Sequence, residues 1–187
     1  MTAYPIQGVE GVDVTGIYNI YNQASAVSST NDPVTPGLPF KLGSQIVASD
    51  GSRWMFCDTT TTIAQGYTVA INSTFRVTAV GGAGAATAVP EGLAMQIGFY
   101  QNSTSLTTGQ AAWFMLQGVP TLLVASAGIS VPLYTSDTAG TLTGATNTVS
   151  HYQVSGLTCV VTASGSTASQ TSCVANSISV RKPLAGA

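Results

Sequence analysis

From Phe40 onward, apolar and polar residues alternate in short runs, and this pattern predicts β-strands. In 67–71 large side chains alternate with small ones, and a second strand-like run follows at 75–80. The pair Asp50-Gly51 is a strong tight-turn signal. No segment shows a long 3.6-residue period with capping residues, and we interpret 94–100, the one helical candidate, as a strand. The sequence therefore predicts an all-β fold, an antiparallel β-sandwich or barrel.

The uncharged stretch 113–134 has the length of a membrane-spanning helix. It contains two glycines and two prolines, which destabilise a helix. Its residue types fit two short strands joined by a turn, so we expect no membrane span here. A final hairpin is predicted from 157–162 and 173–180, with a Ser/Gly-rich turn between them.

Two short sequence motifs of the first half of the chain recur in the second half. The run Trp113-Phe-Met-Leu116 is similar to Trp54-Met-Phe-Cys57, and 127–133 is similar to 65–71. A chance likeness between hydrophobic strands is the alternative. Two matches are too few for a propeller or a solenoid, but they predict a duplicated β unit whose copies do not close their cores alone.

The N-terminal 40 residues lack a clean period, and three prolines between Pro33 and Pro39 favour an extended segment. A frayed terminus is the alternative, but the side chains between Val9 and Tyr21 are too apolar to be left uncovered. We predict an N-terminal arm that adds to a neighbouring subunit by strand addition. The predicted boundaries are 1–40 for the arm, 41–187 for the β domain, about 41–80 and about 95–145 for its two similar units, and about 155–182 for the C-terminal hairpin.

Charged residues are scarce in this chain. Asp, Glu, Lys and Arg make up 6% of its 187 residues, against about 25% in an ordinary soluble domain. A compact monomer of this mass exposes roughly 8,000 Å², which leaves about one charge per 700 Å². Charge normally keeps copies of a protein apart in water. Such a chain therefore lies in a membrane or has much of its surface against other protein.

Two classes of protein are disfavoured, those that bind nucleic acid and those that are secreted. The net charge is −2 and the basic residues are scattered, whereas binding to nucleic acid needs clustered Lys and Arg. The N-terminus has neither a basic start nor an apolar run, so no signal peptide is predicted.

Few side chains offer catalytic chemistry. His151 is the single histidine, and no Gly-x-Ser-x-Gly motif supports a triad with Asp50, Asp58 or Asp137. Asp137 is better interpreted as a turn residue. One histidine and three separated cysteines do not have the spacing of zinc ligands, and no phosphate-binding loop motif occurs. We predict that the chain is not an enzyme and has no catalytic, cofactor-binding or metal-binding residues and no cofactor.

The cysteines and tryptophans have structural interpretations. Cys57 lies in an apolar run and is predicted to be a buried free thiol. Cys159 and Cys173 flank the predicted hairpin; a disulfide between them stays open, because a reducing cytoplasm would disfavour it. Trp54 and Trp113 could stack on sugars, but their apolar neighbours favour core or subunit contacts.

Several short segments of the chain together resemble those of a known protein family. The runs Leu42-Gly43-Ser44, 49–56 and 62–71, followed by 112–118, 133–136 and 140–142, resemble the head decoration (cement) proteins of tailed bacteriophages. The likeness covers roughly residues 40–160 and contains no catalytic motif.

The resemblance implies a non-enzymatic virion protein on the capsid exterior, assembled in the host cytoplasm. It implies β-rich subunits, often homotrimers, whose partners are the major capsid protein and further copies of the chain. A tail or fibre component shares this composition and is one alternative. A secreted carbohydrate- or surface-binding β-sandwich is another. The resemblance implies no active-site residues.

Overall fold

The computed structural model describes residues 12–19, 40–82, 96–144, 151–165 and 167–181. The described residues contain no helix and form twelve β-strands, which confirms the predicted all-β fold. The strands are β1 (Ile17–Asn19), β2 (Gln45–Val47), β3 (Arg53–Thr59), β4 (Thr68–Ile71), β5 (Arg76–Ala79), β6 (Gln96–Phe99), β7 (Gln110–Gln117), β8 (Thr121–Ala125), β9 (Leu133–Thr135), β10 (Leu142–Thr143), β11 (Gln153–Cys159) and β12 (Ser169–Arg181).

Ten of the described strands form two closed five-stranded barrels. The first barrel has the ring order β3-β7-β6-β4-β5, and the second has the ring order β8-β12-β11-β9-β10. When the strands of each barrel are numbered along the chain, both rings read 1-5-4-2-3. In both, the first and third strands pair in parallel, and the other pairs are antiparallel. The fold therefore contains two similar β units.

The barrels divide the chain at a different place from the units expected from the sequence. They span 53–117 and 121–181, so the division lies near residues 118–120. The segments 65–71 and 127–133 do occupy corresponding places, since each leads from the first strand of a barrel into the second. An isolated bridge also recurs in corresponding places, and it joins Ile63 to Leu106 in the first barrel and Ala127 to Ala163 in the second.

The two motifs that begin with Trp54 and Trp113, in contrast, lie in neighbouring strands of the same barrel. β3 and β7 pair antiparallel, with Trp54 opposite Met115 and Phe56 opposite Trp113. Every residue of β3 after Arg53 is buried, and so are the six central residues of β7. The two motifs are alike because both strands are buried on both faces.

The outer face of the β3–β7 pair is covered by the N-terminal segment. Val12 and Val14 are buried there, and β1 pairs antiparallel with β7. The rings of Tyr18 and Phe40 each meet the ring of Phe56 edge-on, with centroids 5.5 Å apart. Residues 12–19 of the predicted arm thus pack on the chain's own sheet; residues 1–11 and 20–39 lie outside the described residues.

Backbone hydrogen bonds join the two barrels. Gly140, in the loop before β10, donates its amide to the Val80 carbonyl over 2.7 Å and accepts from the Thr68 amide over 2.9 Å. The Leu123 amide of β8 donates to the Gly66 carbonyl over 2.9 Å. One hydrophobic cluster runs from Trp54 and Trp113 into the interior of the second barrel. The barrels are therefore fused through backbone and core rather than linked by a tether.

We expect Gly140→Ala to destabilise this joint. Gly140 has a φ of +73°, and a Cβ there would lie 2.3 Å from Cγ of Tyr67. The control is Gly51→Ala, at a φ of +80° with nothing within 4 Å of the added Cβ. The backbone cost is about 1–2 kcal/mol at both sites, and overpacking adds about 1–3 kcal/mol at Gly140. Equal losses of unfolding free energy in urea would contradict the close contact at Gly140.

Candidate interaction surface

The carboxylates considered as partners of His151 have distinct surroundings. Asp137 does meet His151, with Oδ1 3.2 Å from Nε2, but its own side chain is 79% exposed. Asp50 lies in a turn, where hydrogen bonds from Ser52 lower the pKa of its carboxyl. Asp58 is buried and pairs with Arg76, with Oδ2 3.1 Å from Nη2. Only Asp137 is therefore brought to the histidine.

The described residues bring together no group of three or more His, Cys, Asp or Glu side chains that could hold a metal ion. Within the same residues, no helix has the length and apolar character needed to cross a membrane.

The aromatic and thiol candidates of the first barrel are buried. Trp54 donates its indole N–H to Oγ of Ser52 over 2.7 Å. Trp113 is 1% exposed and packs against Phe40 and Phe56. Cys57 is a buried free thiol, as predicted, and burial raises its pKa. Neither tryptophan therefore presents a ring face on which a sugar could stack.

The strands of the second barrel differ from those of the first in their burial. Buried and more exposed positions alternate along β8, and the same alternation runs along most of β11. Such alternation is typical of a sheet with one face in the core and the other uncovered. The second barrel therefore keeps an outward face, whereas β3 and β7 of the first barrel do not.

The second barrel also contains few charged side chains. Over 121–181 the sequence has two charged residues, Asp137 and Arg181, and one histidine, His151. The first barrel, over 53–117, has four charged residues, Arg53, Asp58, Arg76 and Glu91. The sequence interpretation treated low charge as a property of the whole chain and missed the charge-free run 138–180. A count of charges along the chain would have found it.

Four exposed valines lie on or beside the β11–β12 hairpin, and a fifth exposed apolar residue, Ile129, lies between β8 and β9. Val174 lies opposite Thr158, and the Val160 amide donates to the Ser172 carbonyl over 3.1 Å. Val119 lies between the bridge Gly118–Ala175 and the pair Thr121–Ser172, which places it opposite Val174. We call Val119, Thr158, Val160, Val161 and Val174 the neutral face.

The neutral face has the composition of a protein contact. Its valines are 62% (Val119), 47% (Val160), 54% (Val161) and 42% (Val174) exposed. A single exposed valine on a strand is ordinary, because valine favours strands and much protein surface is apolar. Here Val119, Val160 and Val174 share one face of neighbouring strands, and Val161 follows Val160 in the chain. The charged side chains that usually keep hairpins from associating are absent from 138–180 of the sequence. This face can be covered by another protein without burying a charge.

Comparison with known proteins gives no family assignment. Neither a scan against models of known protein families nor a search of curated protein sequences finds a match.

Where copies of the chain associate through the neutral face, Val174→Lys should weaken that association, because it would bury an unpaired ammonium group. The matched control is Val47→Lys in β2, which pairs with β3 of the first barrel, since Val47 is 40% exposed and Val174 is 42% exposed. Light scattering across a concentration series should show a roughly tenfold or greater rise in the dissociation constant for Val174→Lys alone. Equal behaviour of the two variants would show that the neutral face is not the contact.

Proposed function

We propose that this chain is a non-enzymatic virion structural protein. It binds the outer surface of an icosahedral phage head and stabilises the head by clamping neighbouring major capsid subunits. The observation that supports this most is the neutral face of the second barrel. The first barrel carries the exposed Arg53 and Arg76, whereas the second has a neutral face of valines and threonine.

The chemistry of the neutral face suits many modest contacts over a large area. Covering a charged surface removes ions from water, and that penalty can exceed what the new ion pairs return. Valine and threonine have few rotamers to lose on contact, so ordering them costs little conformational entropy. A protein that occupies every equivalent position on a shell gains from such a surface.

We propose that copies of the chain associate with one another, as a homotrimer, and with the major capsid protein. The neutral faces of two copies carry no charges that would repel each other. The chain then acts on the capsid exterior.

The two alternatives differ in how the described residues support them. A tail or fibre component would use the same neutral face. Only a measurement of binding to heads and to tails distinguishes that role from head decoration. A carbohydrate-binding module is less well supported, because Trp54 and Trp113 are both buried.

The test is sedimentation of the purified chain with separated empty heads and tails from the same source. We expect saturable binding to heads, a higher temperature of head disruption, loss of binding in Val174→Lys and retention in Val47→Lys. Binding to tails alone would support the tail component. Binding to a glycan array with no binding to particles would overturn a virion role.

A further inference from the structure

Two cysteines face each other inside the second barrel. Cys159 of β11 and Cys173 of β12 are directly opposed residues of the antiparallel pair. Their Sγ atoms are 3.0 Å apart, and both residues are fully buried. The third cysteine, Cys57, belongs to the separate hydrophobic cluster of the first barrel. The fold therefore brings together only one cysteine pair.

The backbone around the pair has the spacing that a disulfide needs. The Cys173 amide points away from β11 and donates to the Pro120 carbonyl over 3.0 Å. The next pair along the hairpin is hydrogen-bonded, since the Val160 amide donates to the Ser172 carbonyl. Cys159 and Cys173 thus form a non-hydrogen-bonded pair, in which Cα atoms lie about 4.5 Å apart. Disulfides span Cα separations of about 4.4–6.8 Å.

We propose that Cys159 and Cys173 form a reversible disulfide that closes the β11–β12 hairpin under oxidising conditions. The oxidant is a low-molecular-weight disulfide. One of the two protein thiolates attacks it, forms a mixed disulfide and releases one small thiolate. The other protein thiolate then attacks the protein sulfur of the mixed disulfide and releases the second small thiolate. Two protein thiols are oxidised, and one small disulfide is reduced to two thiols.

The contact between the two sulfurs is symmetric. Either thiol can donate the hydrogen bond that joins them, so the geometry does not distinguish a first nucleophile. Burial opposes ionisation of both thiols. Because the thiolate is the reactive species in disulfide exchange, the buried pair reacts slowly in the folded barrel.

The bond would act directly beneath the neutral face. Val160 follows Cys159 in the chain, and Val174 follows Cys173, so the crosslink fixes the strands that carry both valines. Burial of both sulfurs limits access in the folded barrel, so exchange is fastest while the hairpin is open. This inference does not depend on the proposed function, because the hairpin and its cysteines are the same whatever covers them.

The experiment refolds the full chain from urea in defined mixtures of oxidised and reduced glutathione, followed by alkylation and intact mass measurement. We expect the chain to lose the mass of two hydrogen atoms, to take up one alkyl group, on Cys57, and to yield a linked Cys159–Cys173 peptide. The native protein, incubated for days in the same mixtures, should reach the same product more slowly. The oxidised form should unfold roughly 5–10 °C higher than the reduced form.

Single variants separate the pair from the third thiol. Cys57→Ala should still lose two hydrogens, whereas Cys159→Ala and Cys173→Ala should not. Three alkylated cysteines in the wild-type chain at the most oxidising ratio, after both refolding and native incubation, would overturn the proposal. So would a linked peptide that contains Cys57. Both of these outcomes are read on the wild-type chain, so a variant that fails to fold leaves the test intact.

Discussion

The fold depends on the need to bury both faces of one strand pair. β3 and β7 direct Met55 and Phe114 into the first barrel and Trp54 and Trp113 away from it. The outward aromatic face is too large to leave in water, and it is covered by Tyr18, Phe40 and the second barrel's hydrophobic cluster. The N-terminal segment and the second barrel are therefore parts of one core rather than additions to a finished domain.

This arrangement explains where the few charges lie. A charge can be tolerated on the first barrel where it reaches water or a partner, as Arg76 does with Asp58 beside the parallel pairing of β3 with β5. The second barrel is held by its own interior and by the joint with the first, and its outward strands need no charge for folding. The low charge of its surface is therefore not a requirement of folding.

Local features of the fold were predictable from the sequence, and the non-local ones were not. The alternation in 67–71 and the turn at Asp50-Gly51 depend only on residues that are neighbours in the chain. Strands lie on both sides of that turn. The choice of strand partners depends on residues far apart in the chain. The likeness of Trp54-Met-Phe-Cys57 to Trp113-Phe-Met-Leu116 reflects shared burial in one barrel, which composition alone cannot distinguish from a repeat. The charge-free run 138–180 is visible in the sequence, but the charge content of the whole chain does not locate it.

The most direct test of a covered neutral surface is sedimentation equilibrium of the wild-type chain over a wide range of concentration and salt. We predict a species with three times the 18.9 kDa chain mass. Its dissociation constant should not rise between about 0.05 and 1 M salt, because salt screens contacts between charges but does not weaken apolar ones. A single-chain mass at every concentration would contradict self-association through this surface. Dissociation of the oligomer by salt would contradict its neutral chemistry.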